Sequence, residues 1–189
     1  MILSDGTLSL LVGEEDSPTT ITIRPYDRRL IQPASIDFRL GELFRWGWSE
    51  VIDTLDAKTL APSMSEWVAL GQPFTINPGQ CVLATTLEYI KVPDNMVATV
   101  CGKSGLARIF LSVHATAGHV DPGFEGYVTL ELVNSNSVPI ILYPGQRIGQ
   151  FKFEMLDSKA DCPYGHVKLG SHYQHQGGAQ PSLYGTNYQ

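Results

Sequence analysis

From Gly71 onward, apolar and polar positions form short runs rich in β-branched and aromatic residues, as is typical of strands. The runs occupy residues 74–76, 80–85, 96–100, 109–113, 127–133, 140–143 and 148–153. Pro-Gly and Asn-rich turns separate them, and no long stretch repeats with the helical period of 3.6 residues. This pattern predicts an all-β protein with a distorted barrel or jelly-roll architecture.

The region before Gly71 has a weaker pattern. Residues 4–12 favour a short helix, although two glycines weaken it, and residues 21–23 favour a short strand. Residues 42–70 mix three tryptophans with polar residues and predict an irregular excursion with a short helix. We expect these tryptophans to pack over one end of the barrel or at a subunit contact. They are Trp46, Trp48 and Trp67.

The run at 127–133 alternates with period two and carries one carboxylate, Glu131. One face of the strand is aliphatic and suits a core, with Val128, Leu130 and Leu132. Glu131 lies on the other face, with Thr129 and Tyr127. It is either a solvated strand glutamate or a carboxylate that faces a functional site.

Just upstream, the loop at 102–108 combines glycines with hydrogen-bond donors and cations. Gly102 and Gly105 allow close backbone approach, and their N–H groups can point at an anion. Lys103, Ser104 and Arg108 add the charge and donors that a phosphate chain needs. The spacing is not that of a Walker loop, so the alternative is a flexible surface turn.

Composition narrows the functional class. A net charge of -6 over 189 residues argues against a general nucleic-acid binder. Three scattered cysteines, Cys81, Cys101 and Cys162, indicate free thiols in a reducing cytoplasm, with the first two buried in strands. The sequence predicts no membrane span and no signal peptide, and hence a cytoplasmic protein.

Several motifs in order resemble those of the dCTP deaminase family, within the trimeric dUTPase superfamily. They are Gly-Lys-Ser-Gly-Leu-Ala-Arg at 102–108, His-Ala-Thr-Ala-Gly-His-Val-Asp-Pro-Gly-Phe-Glu-Gly at 114–126, Val-Thr-Leu-Glu-Leu-Val-Asn at 128–134 and Arg-Ile-Gly-Gln at 147–150. The resemblance spans about 33–181 and implies one dUTPase-like domain over residues 1–189. Residues 1–32 would form an N-terminal extension, and residues 162–189 a flexible C-terminal lid and tail.

The resemblance also implies catalytic roles. Glu131 would act as general base and acid, and Arg108 would steer Glu131 and the phosphates. The Ser104 hydroxyl and the Ala117 carbonyl would position the attacking water. Active sites would lie at the subunit interfaces of a homotrimer.

Further residues are implied to bind substrate. Asp121 would hold the 3′-hydroxyl and select deoxyribose, and Gln176 would contact the base. The full implied set is Lys103, Gly105, Asp121, Thr129, Gln150, Tyr164, His172 and Gln176. Three of these depart from the usual family residues: Lys103 replaces arginine, Gly105 replaces serine and His172 replaces lysine. From its strand pattern alone, Gln150 could equally be a surface or interface glutamine.

The implied reaction is zinc-independent hydrolysis of dCTP to dUTP and ammonia. The His-x-Glu and Pro-Cys-x-x-Cys pattern of zinc deaminases does not occur in the sequence. Mg²⁺ would be bound through the triphosphate, and dTTP is an implied inhibitor. The main alternative is a bifunctional deaminase and dUTPase that forms dUMP and diphosphate, which Gly118 favours. A pure dUTPase and a non-catalytic nucleotide-binding module are the remaining alternatives.

Overall fold

The computed structural model describes residues 1–47, 51–60 and 64–184. Its helices are short: α1 (Asp5–Leu11), α2 (Ala57–Leu60) and α3 (Ser104–Ala107), with a 3₁₀ turn at Arg28–Leu30. The strands are β1 (Val12–Gly13), β2 (Ile21–Arg24), β3 (Ile31–Gln32), β4 (Ser35–Arg39), β5 (Leu43–Trp46), β6 (Ser65–Val68), β7 (Phe74–Ile76), β8 (Cys81–Lys91), β9 (Met96–Gly102), β10 (Leu111–Ser112), β11 (His119–Val120), β12 (Glu125–Asn134), β13 (Ile140–Leu142) and β14 (Arg147–Met155).

These strands form two main sheets and a hairpin-like pair. One sheet has the order β1-β2-β8-β12-β10, with β5 paired to both β8 and β6. The second has the order β11-β9-β14-β4-β3, and β13 pairs with β7. The all-β prediction is confirmed, and strands that are distant in sequence dominate the pairing, as expected for a barrel-like topology.

Strand β12 confirms the predicted alternation. Val128, Leu130 and Leu132 are buried in the common core, whereas every second residue, including Thr129 and Glu131, is half-buried. Antiparallel pairing with β8 sets Glu131 opposite Leu83. The strand therefore presents the Glu131 carboxylate to the side away from the core.

Strand β14 lies at the centre of the second sheet and supplies two core aromatics. Phe151 and Phe153 are buried, and the Phe151 ring lies 4.6 Å from that of Phe38 on β4. Gly149 lies directly beneath the Phe38 ring, in space where a Cβ atom would overlap the ring carbons. Phe38 therefore requires a residue without a side chain at position 149.

The N-terminal residues join both sheets. Helix α1 and strand β2 are confirmed at the expected positions, and β2 pairs with β8. The backbone N–H of Leu3 donates to the carbonyl of Phe153 on β14 at 3.0 Å. Leu8 is fully buried, so the short helix covers part of the core.

The excursion at 42–70 is more regular than predicted. It contains the expected short helix α2, but β5 and β6 also pair as antiparallel strands. The aromatic residues of these two strands pack on Phe74 of β7. Its ring stacks on Phe44 at 4.3 Å, and the Trp46 and Trp67 rings lie 5.4 Å and 5.3 Å from it. The two tryptophans thus pack on an aromatic cluster, and Trp48 lies outside the described residues.

Two smaller predictions were wrong. Cys81 is exposed because it is the first residue of β8, whose buried positions start at Val82. Cys101 is only half-buried. The run at 109–113 is mostly a turn after α3, and only Leu111 and Ser112 form a strand. No helix among the described residues is long and apolar enough to cross a membrane.

Candidate active site

A cavity of about 460 Å³ lies beside the Glu131 face of β12. Its other walls are formed by residues 114–124, which precede β12, and by the C-terminal segment, residues 162–184. This volume is within the range of small-molecule sites. Six residues that the sequence singled out line it together: Ala117, Asp121, Thr129, Glu131, Tyr164 and Gln176. They come from three separate parts of the chain, which only the fold brings together.

His114 holds the carboxylate of Glu131. Its Nδ1 atom lies 2.6 Å from Glu131 Oε2, and the backbone N–H of Ala115 donates to the same oxygen at 3.4 Å. The His114 side chain is 9% exposed, whereas that of Glu131 is 37% exposed. The short contact is not aligned with a ring N–H, and neither ring nitrogen has a well-directed hydrogen bond among the described residues. The contact is therefore best treated as an ion pair.

This environment favours a charged imidazole. Burial acts to lower the pKa of His114 and is the largest single effect. The contacts with the Glu131 carboxylate and the Ala117 backbone together outweigh burial, so the pKa of His114 is raised. The contacts with His114 and Ala115 both use Oε2 of Glu131, and Oε1 has no hydrogen bond among the residues that the structure describes, so it is available to the cavity.

The C-terminal segment docks on the beginning of β12 almost as an added strand. The His175 N–H donates to the Glu125 carbonyl at 2.7 Å, and the Tyr127 N–H donates to the Gln176 carbonyl at 3.1 Å. The Gln176 side-chain amide donates to the Tyr127 carbonyl. These bonds close one side of the cavity with the segment predicted as a lid.

Gln176 also reaches Thr129, two residues from Glu131. The Thr129 hydroxyl donates to Gln176 Oε1 at 3.4 Å and accepts from the Gln180 N–H at 3.3 Å. Thr129 and Glu131 share a strand face, so their side chains stand about 7 Å apart along β12. A planar ring between them would contact both a carboxylate and an amide.

At the cavity mouth, Asp121 and Tyr164 lie on neighbouring walls. Asp121 Oδ1 is 3.3 Å from His119 Nε2, and both side chains are exposed. The Tyr164 hydroxyl accepts from the Tyr173 N–H at 3.1 Å. Burial is the main cause of a raised pKa for Tyr164, so its hydroxyl stays protonated near neutral pH.

The predicted phosphate loop does not line this cavity. Ser104, Gly105 and Arg108 lie on or beside α3 and are exposed. The Lys103 ammonium contacts the buried carboxylate of Asp37 on β4, which Arg147 also approaches at 3.4 Å. Within the single chain these residues are thus separated from Glu131.

Gln150 and His172 also lie outside the main cavity. Gln150 accepts a hydrogen bond from the Ser35 hydroxyl at 3.0 Å within the second sheet. His172 borders a neighbouring hollow of about 490 Å³, together with Asp121 and Tyr164. The structure therefore places His172 near the cavity mouth and Gln150 within a sheet.

Several residues that line the cavity have no role assigned from sequence, among them His114 and Tyr173. His114 stands at the start of a motif used for the family resemblance, three residues before Ala117. Its position in a stretch of small residues was the available signal. Tyr173 lies in a tail rich in tyrosine and histidine, where no pattern marks one aromatic residue over another.

The charge of the cavity wall is unusual for a phosphate site. Among its described lining residues are two carboxylates and two imidazoles, but no lysine or arginine. Among all the residues that the structure describes, no group of three or more His, Cys, Asp or Glu residues is arranged to hold a metal ion. The cavity can thus hold a neutral ring next to a carboxylate, but it lacks fixed cations for phosphates.

Comparison with known proteins decides the family. The family model described as dCTP deaminase-like matches residues 2–156. The chain belongs to the dCTP deaminase-like family. A "dCTP deaminase, dUMP-forming" of Methanobrevibacter smithii is 44% identical over 180 residues, covering 93% of this chain and 91% of the relative. One of the same description from Nocardioides sp. is 42% identical and covers 100% of this chain and 97% of the relative.

Solved structures show the same fold. The 2′-deoxycytidine 5′-triphosphate deaminase of Agrobacterium tumefaciens has a TM-score of 0.63 and 22% identity. The match covers 82% of this chain, which spans 46% of that chain. A dUTPase from phage phi11 of S. aureus has a TM-score of 0.50 at 11% identity, over 75% of this chain and 94% of that one. These similarities confirm the dUTPase-like β fold expected from the motifs.

Proposed function

We propose that this chain deaminates dCTP and then hydrolyses the resulting dUTP to dUMP and diphosphate. The observation that carries the proposal is the Glu131 carboxylate, held by His114 in a cavity that also contains Ala117, Thr129 and Gln176. Relatives that are 42–44% identical over nearly the whole chain are described as dUMP-forming dCTP deaminases. Their description favours the bifunctional alternative over the main expectation from the sequence, a deaminase that stops at dUTP.

In the deamination step, Glu131 moves the protons. Its free oxygen takes a proton from water, whose oxygen bonds to C4 of cytosine, and N3 of the ring is protonated. A second proton then passes from the new C4 hydroxyl through Glu131 to N4, the C4–N4 bond breaks, ammonia leaves and the ring becomes uracil. The Ala117 carbonyl lies at the same cavity and is suited to accept a hydrogen bond from the water. Gln176 and Thr129 would hold the base in plane.

In the second step, Asp121 would take a proton from a water molecule while the oxygen of that water bonds to the α-phosphorus of dUTP. The bond between that phosphorus and the bridging oxygen breaks, and diphosphate leaves with dUMP as the other product. Asp121 lies at the mouth of the cavity, exposed to solvent. That location suits a group that contacts sugar and phosphate rather than base.

A second copy of the chain would complete the site. The cavity has no described lysine or arginine, whereas a triphosphate carries several negative charges. Ser104, Gly105 and Arg108 lie instead on an exposed surface beside Ile109 and Phe110, which are 42% and 64% exposed. Exposed apolar side chains beside unused donors are typical of an interface. We therefore place these donors of one copy at the Glu131 cavity of the next, in a homotrimer.

Lys103 and the metal fit this arrangement in different ways. Lys103 would reach phosphate only if it left Asp37, so its contribution to binding is secondary to that of Arg108. Mg²⁺ would be held mainly by the triphosphate oxygens, since the described residues form no carboxylate cage for it. When bound, it would supply charge neutralisation to the phosphates.

Product analysis tests the proposal. The protein is incubated with Mg²⁺ and either dCTP or dUTP, and the nucleotides are separated by ion-exchange chromatography. We expect dUMP from both substrates. Accumulation of dUTP that is not consumed would show a monofunctional deaminase, consumption of dUTP alone would show a dUTPase, and binding without turnover would show a nucleotide-binding module.

Replacement of the proposed proton carrier separates binding from chemistry. Glu131→Gln keeps the shape of the side chain but removes the base, so we expect deamination to fall by about 10²–10⁴-fold with dCTP binding retained. Glu154→Gln, on another strand, is the matched control and should keep full activity. An active Glu131→Gln protein would show that another group moves the protons.

A further inference from the structure

The C-terminal segment approaches the rest of the chain very closely at two glycines. Gly126 of β12 lies between the two backbone hydrogen bonds that join Glu125 and Tyr127 to the segment. A Cβ atom on Gly126 would stand 3.1–3.3 Å from the backbone and Cγ of Gln176. An added methyl group at position 126 would thus displace the segment by a few tenths of an ångström.

The second close approach lies two residues beyond Gln176. A Cβ atom on Gly178 would stand 2.7 Å from Cδ2 of Leu43, the first residue of β5. Ordinary contacts of this kind are 3.4–4 Å, so an added methyl group would displace one partner by about 1 Å. The next residue, Ala179, is fully buried, which limits how far the segment can move outward.

The neighbouring glycine has no such contact. A Cβ atom on Gly177 would meet nothing within 4 Å. Gly177 and Gly178 both have backbone conformations that alanine can adopt, since neither has a positive φ. Substitution by alanine therefore lowers the entropy of the unfolded chain equally at both positions, but only at Gly178 does it create a close contact with Leu43.

We propose that the close contact between Gly178 and Leu43, called the seat below, fixes how near the C-terminal segment lies to β12. The contact thereby positions the side-chain amide of Gln176. Gln176 lies two residues from this seat and contacts both Tyr127 and Thr129 on the cavity wall. Gly178 and Leu43 are positioning residues, because neither lines the cavity. The expected effect on dCTP use rests on the proposed function, whereas the effect on the segment does not.

The variants are Gly178→Ala, its control Gly177→Ala, Leu43→Ala, and the double variant Leu43→Ala/Gly178→Ala. Displacement of a positioning group by about 1 Å can cost up to about 100-fold. Since Leu43 can absorb part of the displacement, we expect KM for dCTP to rise about tenfold in Gly178→Ala, with kcat changed less than threefold. Removing the Leu43 side chain in the double variant should restore KM to within about threefold of wild type.

A second measurement needs no activity. Lys168 is the last lysine or arginine of the sequence and is exposed, but the Leu169 N–H after it donates to the His166 carbonyl in a turn. Trypsin should therefore release residues 169–189 faster when the segment detaches and this turn opens. Without nucleotide, we expect Gly178→Ala to be cut at Lys168 several-fold faster than wild type and Gly177→Ala. The double variant should return to the wild-type rate.

The outcomes separate the two proposals. If wild-type protein does not turn over dCTP, the proposed function fails. The trypsin comparison still tests whether the contact between Gly178 and Leu43 holds the C-terminal segment in place. If Gly178→Ala matches Gly177→Ala in both KM and cleavage, the seat is refuted. The double variant must first be shown to be folded by a Tm equal to that of wild type. If it is folded and neither KM nor the cleavage rate recovers, the seat is refuted as well.

Discussion

Removing the His114 side chain should slow deamination without preventing dCTP binding. His114 Nδ1 lies 2.6 Å from Glu131 Oε2, and this contact sets which carboxylate oxygen faces the cavity. In His114→Ala the carboxylate loses that partner and can rotate away from the attacking water. His114 would then be a positioning residue that acts through Glu131, and its loss should lower kcat more than it raises KM.

The size of the effect follows from the geometry. A well-aligned hydrogen bond between charged groups contributes about 1.5–3 kcal/mol, which is an upper bound for this ion pair. Because the Glu131 side chain is 37% exposed and the contact is poorly aligned, solvent weakens the interaction and the lower end applies. At about 1.4 kcal/mol per factor of ten, we expect kcat to fall about 10–30-fold. That loss is smaller than the one expected for Glu131→Gln.

The assay is ammonia release from dCTP at saturating and limiting substrate. His114→Asn keeps a side-chain N–H donor near the former Nδ1 position and should recover part of the lost kcat. His166→Ala, which changes a histidine of the C-terminal segment outside the cavity, is the control and should behave as wild type. The reasoning is refuted if His114→Ala keeps full kcat, or if the asparagine variant is no better than alanine in a folded protein.

The remaining predictions concern stability. The raised pKa of His114 means that its ion pair stabilises the fold below the ordinary histidine pKa of about 6.5, and that this stabilisation is lost as pH rises through the folded-state value. The Tm difference between wild type and His114→Phe should thus be larger at pH 5.5 than at pH 8.5, by differential scanning fluorimetry. Gly149→Ala should lower the free energy of unfolding by about 1–3 kcal/mol in urea titrations, because its methyl group overlaps the Phe38 ring. Lys103→Met should cost up to about 3 kcal/mol in the same titrations, since it leaves the buried Asp37 carboxylate with Arg147, at 3.4 Å, as its one described charged partner.

Controls separate these effects from general damage. Gly145→Ala is unsuitable beside Gly149→Ala because of its positive φ, whereas Gly13→Ala, with free space and no positive φ, is the matched change. Lys159→Met removes an exposed ion pair with Asp94 and should cost less than about 1 kcal/mol. Equal losses for Lys103→Met and Lys159→Met would contradict the assigned role of Asp37, and a Tm difference for His114→Phe that grows with pH would contradict the sign of the pKa shift.

Local pattern was sufficient for most strands and for the central carboxylate. The alternation at 127–133 depends only on neighbouring residues, and it correctly predicted which side of β12 is buried and which side carries Glu131. The family motifs are also local, and they named six of the residues that line the cavity. The pairing of β5 with β6 was not predicted, because the aromatic residues of these strands pack on Phe74, which lies beyond the segment 42–70.

Contacts between distant segments were decided only by the tertiary structure. Lys103 has the charge of a phosphate ligand, yet Asp37, 66 positions earlier, engages its ammonium group. His114 meets Glu131 because the turn before β12 folds back on the strand, and Gly178 meets Leu43 across most of the chain. Residue type and periodicity determine what a side chain can do and which face of a strand it occupies. The partner it meets depends on how the sheets pack, which no local pattern specifies.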